Sequence, residues 1–167
     1  MQTFLPSPDI YKSAEMLDRQ RLGKQRVEAM QILTILAGTS KGDGFRNHPA
    51  TLMWKGHELG LTIYLVAMIE EWKRRRYLDS VESFLSGNFS GNYGHARGIV
   101  KRRESWGVLQ AQNILPIWFG GLIHSSHRAA LLAKDANYYS KFGWSEQPKI
   151  DYYWPTKQPI LFEEEPA

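Results

Sequence analysis

The stretch that decides the fold runs from Leu17 to Glu28 and reads Leu-Asp-Arg-Gln-Arg-Leu-Gly-Lys-Gln-Arg-Val-Glu. Its spacing predicts a helix, and at 100° per residue the helix has two faces. The polar face contains Arg21, Lys24, Gln25 and Glu28. The apolar face contains Leu22 and continues beyond Glu28 with Ala29, Met30, Leu33 and Leu36. Arg26 falls in the middle of the apolar face.

The placement of Arg26 needs an explanation, because a guanidinium stays protonated and is costly to bury without a partner. One explanation is a buried ion pair that fixes helix packing, with Asp18, Glu28 or another acid as the partner. The other is a cleft in which Arg26 faces an anionic ligand. We favour the cleft.

Composition predicts one globular domain over residues 1–167, with 155–167 as a peripheral tail. The 167 residues are 43% hydrophobic and 13% aromatic, which excludes a disordered chain. The absence of cysteine excludes disulfides, thiolate catalysis and Cys-ligated metals. No apolar run has the length of a membrane span and no basic segment of a signal peptide is present, so we expect a monomeric cytoplasmic protein that does not bind membranes.

Positive charge is concentrated in three short segments. The net charge is +4, with cations clustered in 19–26, 73–76 and 101–103, whereas Glu163, Glu164 and Glu165 make the end of the chain acidic. Such clusters suit a polyanionic partner. The alternative is that they are solvated helix ends, which fits 73–76 because cations are favourable at a helix C-terminus.

The chain is predicted to be mainly α, because almost nothing alternates with a period of two. The expected helices are 9–17, 18–37 ending at Gly38, 49–77, 79–85, 101–115 and 125–135. Gly56 and Gly60 in the third of these form a flat strip where another backbone could approach closely. An exposed loop is expected over 86–98, which is rich in glycine and carries Phe89, Tyr93, His95 and Arg97. That loop could wrap nucleic acid or could be a plain surface loop. Trp118 lies in an expected turn, and the irregular tail from Trp144 should pack Tyr152, Tyr153 and Trp154 on the body.

Two kinds of residue could carry chemistry. His124 and His127 are three residues apart, which is a spacing of metal ligands on a helix. No third ligand lies at a spacing typical of a metal site. We therefore favour hydrogen bonding or phosphate contact for the two histidines. Glu28 is the preferred carboxylate, because Lys24 and Arg21 on the same face should keep it ionised. It could stabilise an oxocarbenium-like centre or position a water, or it could be a surface pair with Lys24. For His57, which is expected in mid-helix beside Lys55 and Glu58, the spacing alone favours an ordinary helix histidine.

Several motifs resemble the pyrimidine dimer DNA glycosylase family, whose best-known member is the phage endonuclease V. The resemblance rests on Thr-Phe-Leu-Pro at 3–6, the block 17–28, His-Pro at 48–49 followed by Met-Trp at 53–54, His-Ser-Ser-His-Arg-Ala-Ala-Leu-Leu-x-Lys-Asp at 124–135, and Tyr-x-x-Phe-Gly-Trp at 139–144. It covers nearly the whole chain within a bacterial and phage branch. The likeness to endonuclease V itself rests on Asp18 and Arg26, on Pro49, Gly56 and His57, and on the end rich in Tyr and Gly.

The resemblance implies a compact helical fold like that of endonuclease V. It also implies an enzyme that acts on damaged duplex DNA without a metal or cofactor. In that family the α-amine of an N-terminal threonine attacks C1′ of the sugar, and a helix glutamate and arginines hold the site. Two positions depart from the pattern. The residue after Met1 is Gln2, so Met1 should be retained, with Thr3 two places inside. Matching Asp18 and Arg26 puts the family's glutamate at Val27, one residue before Glu28.

The resulting hypothesis is a DNA glycosylase that cleaves the N-glycosidic bond of a damaged or modified base, with possible lyase activity at the abasic site. The expected catalytic residues are Glu28, Arg26 and Met1. The residues expected to bind substrate or DNA are Gln2, Thr3, Arg21, Lys24, Gln25, His48, Trp54, His57, His124, His127 and Arg128. Two alternatives stay open: a non-catalytic damage-recognition module, and an enzyme acting on free nucleotides or nucleosides.

Overall fold

The computed structural model describes residues 1–42 and 44–157, and these contain helices but no strand. The mainly α prediction is therefore confirmed. The helices are α1 (Ile10–Met16), α2 (Arg19–Leu36), α3 (Pro49–Leu52), α4 (Glu58–Arg74), α5 (Glu82–Asn88), α6 (Ser90–Arg102), α7 (Trp106–Ala111), α8 (Ile123–Lys134) and α9 (Ala136–Tyr139), with two 3₁₀ turns at Ser140–Phe142 and Pro155–Lys157.

Helix α4 is the centre of the core. Every residue from Gly60 to Ile69 is buried, and a helix that is apolar all round must be covered on all sides. Helices α1, α2 and α6 pack against α4. The N-terminal segment before α1 is also buried, which brings it between α2, α4 and α8.

The two N-terminal helices begin and end where their sequence signals predict. The Asp9 side chain accepts hydrogen bonds from the backbone N–H groups of Tyr11 and Lys12, and Asp18 accepts from that of Arg21. Both are cap residues that satisfy free N–H groups of a first turn. Gly38 follows α2 with a φ of 75°, a left-handed conformation that favours glycine after a helix.

The predicted helix over 49–77 is two helices. The chain leaves α3 after Leu52, and α4 begins only at Glu58. Gly56 between them has a φ of 83°, which breaks the helical path. At Gly60 a Cβ atom would lie 2.5 Å from the carbonyl oxygen of Ile114, so the expected close backbone approach occurs at Gly60.

The predicted loop over 86–98 is wrong, because α5 and α6 cover nearly all of it. Ala96 and Ile99 of α6 are fully buried, and Phe89 and Tyr93 pack against the core. Tertiary packing against α4 thus outweighs the low helix propensity of the glycines. His95 and Arg97 are exposed on the helix surface.

The C-terminal half holds three smaller differences. The helix predicted over 101–115 is the end of α6 followed by α7, and α8 starts at Ile123, two residues before Ser125, so His124 is helical. Tyr152, Tyr153 and Trp154 pack against the core as expected. Most of the tail, including Glu163 to Glu165, lies outside the described residues. Among the helices of 1–42 and 44–157, none is long and apolar enough to span a bilayer.

Replacing Gly60 with alanine should lower the free energy of unfolding by about 1–3 kcal/mol, because the new methyl group must displace the Ile114 backbone. Gly94 in α6 is the matched control: a Cβ there meets nothing within 4 Å, so Gly94→Ala should be neutral or stabilising by about 0.5–1 kcal/mol. Urea unfolding monitored by circular dichroism measures both. Equal stability of the two variants would contradict the close contact.

Candidate active site

The N-terminal segment Gln2–Pro6 lies outside any helix, is buried, and is bound by side chains of three helices. Gln2 is 5% exposed and Thr3 and Leu5 are not exposed at all. Buried backbone needs hydrogen-bond partners, and no strand lies beside this segment in the described ranges. Side chains take over that role.

The backbone of Phe4 is bound by Gln25 of α2 and Tyr64 of α4. The Phe4 N–H donates to Gln25 Oε1 over 2.7 Å. The Tyr64 hydroxyl lies 2.9 Å from the Phe4 carbonyl oxygen and 2.7 Å from Gln25 Oε1, so its single proton is shared between them. Next to Phe4, Thr3 Oγ1 accepts a hydrogen bond from Trp54 Nε1 over 3.0 Å.

The backbone of Leu5 is bound on both sides by the histidines of α8. The Leu5 N–H donates to His127 Nδ1 over 2.8 Å, and the Leu5 carbonyl oxygen lies 2.8 Å from His124 Nδ1. Because a carbonyl only accepts, His124 carries its proton on Nδ1, and its Nε2 accepts from the Gly120 N–H. His127 must carry its proton on Nε2, which has no hydrogen-bond partner among the described residues.

Burial keeps both imidazoles neutral. It lowers the pKa of His124 to about 4, although the hydrogen bond to Leu5 raises it, and the charge of Arg128 lowers it further. It lowers the pKa of His127 to about 3, and His124 adds to the effect. Both histidines form hydrogen bonds, to the Leu5 backbone, as predicted. With exposures of 3% and 0%, neither ring reaches the surface to contact a phosphate directly.

Glu28 receives the N-terminal end of this segment. Its Oε2 accepts from the backbone N–H of Gln2 over 3.3 Å and from Gln25 Nε2 over 3.1 Å. One carboxylate oxygen is therefore fixed by neutral donors, while no hydrogen bond to Oε1 is formed among the described residues. Val27, the position that matches the family's glutamate, is 46% exposed. Glu28, not Val27, is the residue of α2 that faces the N-terminus.

A cavity of about 320 Å³ opens beside Glu28. Its walls are formed by Met1, Gln2, Phe4, Gln20, Arg21, Lys24, Gln25, Glu28, Lys134 and Tyr152. A larger groove of about 960 Å³ also lies against α2, along Gly23, Val27 and Trp72. We take the smaller cavity as the candidate site, because it alone of the two contains Met1 and Gln2.

The charges around the cavity are mostly positive. Lys24 and Lys134 are exposed, whereas Arg21 is half-buried and pairs with Asp18 at 3.1 Å. Burial alone would raise the pKa of Asp18, but hydrogen bonds from Tyr139 and Arg21 outweigh it and hold that pKa below its usual value. Asp18 therefore stays ionised as the partner of Arg21. The net positive field suits the phosphates of a nucleic acid.

Arg26 lies outside the cavity, and the predicted anion-binding cleft is not what surrounds it. Its guanidinium forms an ion pair with Asp79, whose side chain is 5% exposed, and lies 4.1 Å from the ring centre of Trp72. Asp79 also accepts from the backbone N–H groups at the start of α5. The buried ion pair, the alternative considered from sequence, is the arrangement observed, with an acid 53 residues away as the partner.

Other predicted site residues have structural surroundings. His48 caps α3 by accepting from the Ala50 N–H over 3.0 Å, and Trp54 is fully buried. His57 stands at the start of α4. Arg128 donates to the Pro6 carbonyl oxygen and pairs with Glu146. None of these four lines the cavity.

Sequence reasoning missed Gln20, Lys134 and Tyr152. Gln20 lies one turn before Lys24, so helical spacing could have placed it on the polar face. Lys134 and Tyr152 come from distant parts of the chain, and no local pattern marks them. Burial raises the pKa of Tyr152; the charge of Arg21 lowers it and that of Glu28 raises it, which places the phenol in the field of both.

The first half of the chain, residues 1–83, matches the family model of pyrimidine dimer DNA glycosylase. The chain belongs to this family. The match contains the N-terminal segment, α2 and Glu28, so DNA glycosylase function and DNA as a partner are supported for the chain in general terms. Lys134, Tyr152 and the two histidines of α8 lie beyond the matched residues. A search of curated proteins found no match, and neither did a search of solved structures.

Replacing Arg26 should lower the stability of the folded protein. In Arg26→Ala the Asp79 carboxylate is left buried and unpaired, so the free energy of unfolding should fall by about 3–5 kcal/mol. The double variant Arg26→Met, Asp79→Asn should recover part of that loss, as measured by urea denaturation. Unchanged stability of Arg26→Ala with loss of DNA binding would restore the cleft interpretation.

Stability should fall as the pH drops below 6.5. Above the ordinary histidine pKa of 6.5, His124 and His127 are neutral in both folded and unfolded chains, and below it only the unfolded chain takes up protons until about pH 4 and about pH 3. Each histidine therefore costs up to about 1.4 kcal/mol per pH unit in that window. The urea concentration at the unfolding midpoint, measured at pH 7, 6 and 5, should fall less steeply with pH in the double variant His124→Asn, His127→Asn than in the unaltered protein.

Proposed function

We propose that this protein removes a damaged or modified base from duplex DNA in the cavity beside Glu28. The observation that carries the proposal is the Glu28 carboxylate, which is fixed by Gln2 and Gln25 at the wall of a mostly cationic cavity. Family membership supports the reaction class, and the hydrogen bonds of Glu28 support it as the catalytic carboxylate. Lys24, Lys134 and Arg21 would hold the phosphates that flank the lesion.

Cleavage of an N-glycosidic bond leaves positive charge on the sugar. As the C1′–N bond breaks, the electron pair leaves with the base and C1′ becomes oxocarbenium-like. The free oxygen of Glu28 would stabilise that charge, and a water would attack C1′ and transfer its proton to the carboxylate. The cavity of about 320 Å³ has room for one extruded nucleotide at most, which requires the target to leave the base stack.

The surroundings of Glu28 favour water over an amine as the attacking group. The nitrogen 3.3 Å from Glu28 is the backbone amide of Gln2, which is not a nucleophile. In a protein that begins with Met1, the α-amine would lie one residue further from Glu28. We therefore propose base excision as the main reaction, with weak lyase activity. The same observation would also suit a damage-recognition module that lacks catalysis, so the test must separate binding from base release.

Glu28→Gln should lose base release by about 100-fold or more while DNA binding stays within a few-fold, because the amide keeps the shape and removes the charge. Activity is measured on a panel of duplexes that each carry one modified base, and binding is measured by gel shift. The matched control is Glu70→Gln, an exposed glutamate of α4 that pairs with Lys73. Binding without base release in the unaltered protein would favour the recognition module, and release only from free nucleosides would favour the third hypothesis.

Borohydride reduction should trap little covalent adduct between the unaltered protein and abasic DNA. Mass spectrometry first establishes that the preparation begins with Met1. A chain that begins at Gln2 should trap more, because its α-amine would take the place of the amide beside Glu28. Efficient trapping by the chain that begins with Met1, mapped to the N-terminal peptide, would contradict water attack.

A further inference from the structure

The two buried histidines of α8 do more than fill the core. They bind the N–H and the C=O of one residue, Leu5, from positions three apart on a helix. A neighbouring β-strand would normally supply both partners to such a residue. Here two neutral rings with opposite tautomers supply them. That arrangement accepts Leu5 in only one register.

We propose that His124 and His127 are positioning residues that set the register of the N-terminal segment and thereby place Glu28 for catalysis. This inference rests on the proposed function. Neither histidine lines the cavity, so neither would touch the substrate. They act through the segment that they hold.

The path from the histidines to Glu28 is continuous along the backbone. His124 and His127 bind Leu5, and Gln25 binds Phe4, the residue before it. The segment ends with the Gln2 N–H, which donates to the Glu28 carboxylate. A slip of one residue along an extended chain is about 3.3 Å and turns each side chain to the opposite side. It would remove the Gln2 hydrogen bond from Glu28 and draw Met1 away from the cavity wall.

The polar nature of the pair fits positioning better than stability alone. The His127 Nε2–H is buried without a partner in the described part of the chain, which is a cost that an apolar side chain would avoid. What an apolar side chain cannot do is accept the Leu5 N–H. The hydrogen bond to Leu5 is therefore the property to test.

The test compares His127→Leu, which removes the acceptor, with His127→Asn, which keeps an acceptor at the position of Nδ1. At a temperature where both are folded, His127→Leu should lower kcat by about 10- to 100-fold with KM for the duplex changed less than about threefold. His127→Asn should recover most of kcat. Gly60→Ala, which is destabilised at a site outside the segment, is the control and should keep its kcat. Loss of kcat in Gly60→Ala to the same degree would reduce the histidines to a stabilising role.

A second measurement does not depend on activity. Backbone amide exchange, followed by NMR, should be at least about 10-fold faster at Gln2 and Phe4 in His127→Leu than in Gly60→Ala, with His127→Asn near the unaltered protein. Unchanged exchange at Gln2 and Phe4 would overturn the positioning role. If no duplex loses a base, the proposed function fails, and the exchange rates still decide whether the histidines set the register.

Discussion

The segment from Gln2 to Pro6 is buried backbone with no strand beside it in residues 1–42 and 44–157, and the rest of the site depends on how its polar groups are satisfied. An unpaired buried N–H or C=O costs about 1–3 kcal/mol, so such a segment is stable only when each group finds a partner. Side chains of α2, α4 and α8 supply partners for the N–H and C=O groups of Phe4 and Leu5. Three helices that are distant in sequence are thereby tied to one short stretch of chain.

Helix α2 serves the core and the cavity with its two faces. On one side Arg26 is neutralised by Asp79 and covered by Trp72, which joins α2 to the start of α5. On the other side Gln25 binds both the Phe4 backbone and Glu28. Because a helix is rigid over these few residues, packing on the Arg26 side also fixes the direction of Glu28. The two hypotheses for Arg26 differed in its partner, a protein carboxylate or an anionic ligand, and the partner is the carboxylate of Asp79.

Features that depend on residues close together in the sequence could be predicted, whereas contacts between distant residues could not. Asp9 and Asp18 act within a few residues, and the apolar spacing of α2 needs no knowledge of its partner, so these elements were predicted well. The pairing of Arg26 with Asp79 and of the histidines with Leu5 joins residues 53 and about 120 positions apart. No periodicity encodes such contacts. The glycines of 86–98 failed as loop signals because packing on α4 decides their conformation.

The hydrogen bonds from His124 and His127 to Leu5 fix the register of the N-terminal segment more than they add to the strength of its binding. Van der Waals packing of Phe4 and Leu5 would tolerate a small sliding of the chain, since apolar contacts are non-directional. Hydrogen bonds to the N–H and C=O of a single residue do not tolerate it, because their energy falls steeply with misalignment. A site whose carboxylate is bound by the backbone of a segment outside any helix needs that property, because no helical hydrogen bonds fix the register of such a segment. The neutral imidazoles of α8 supply it at the cost of stability in acid.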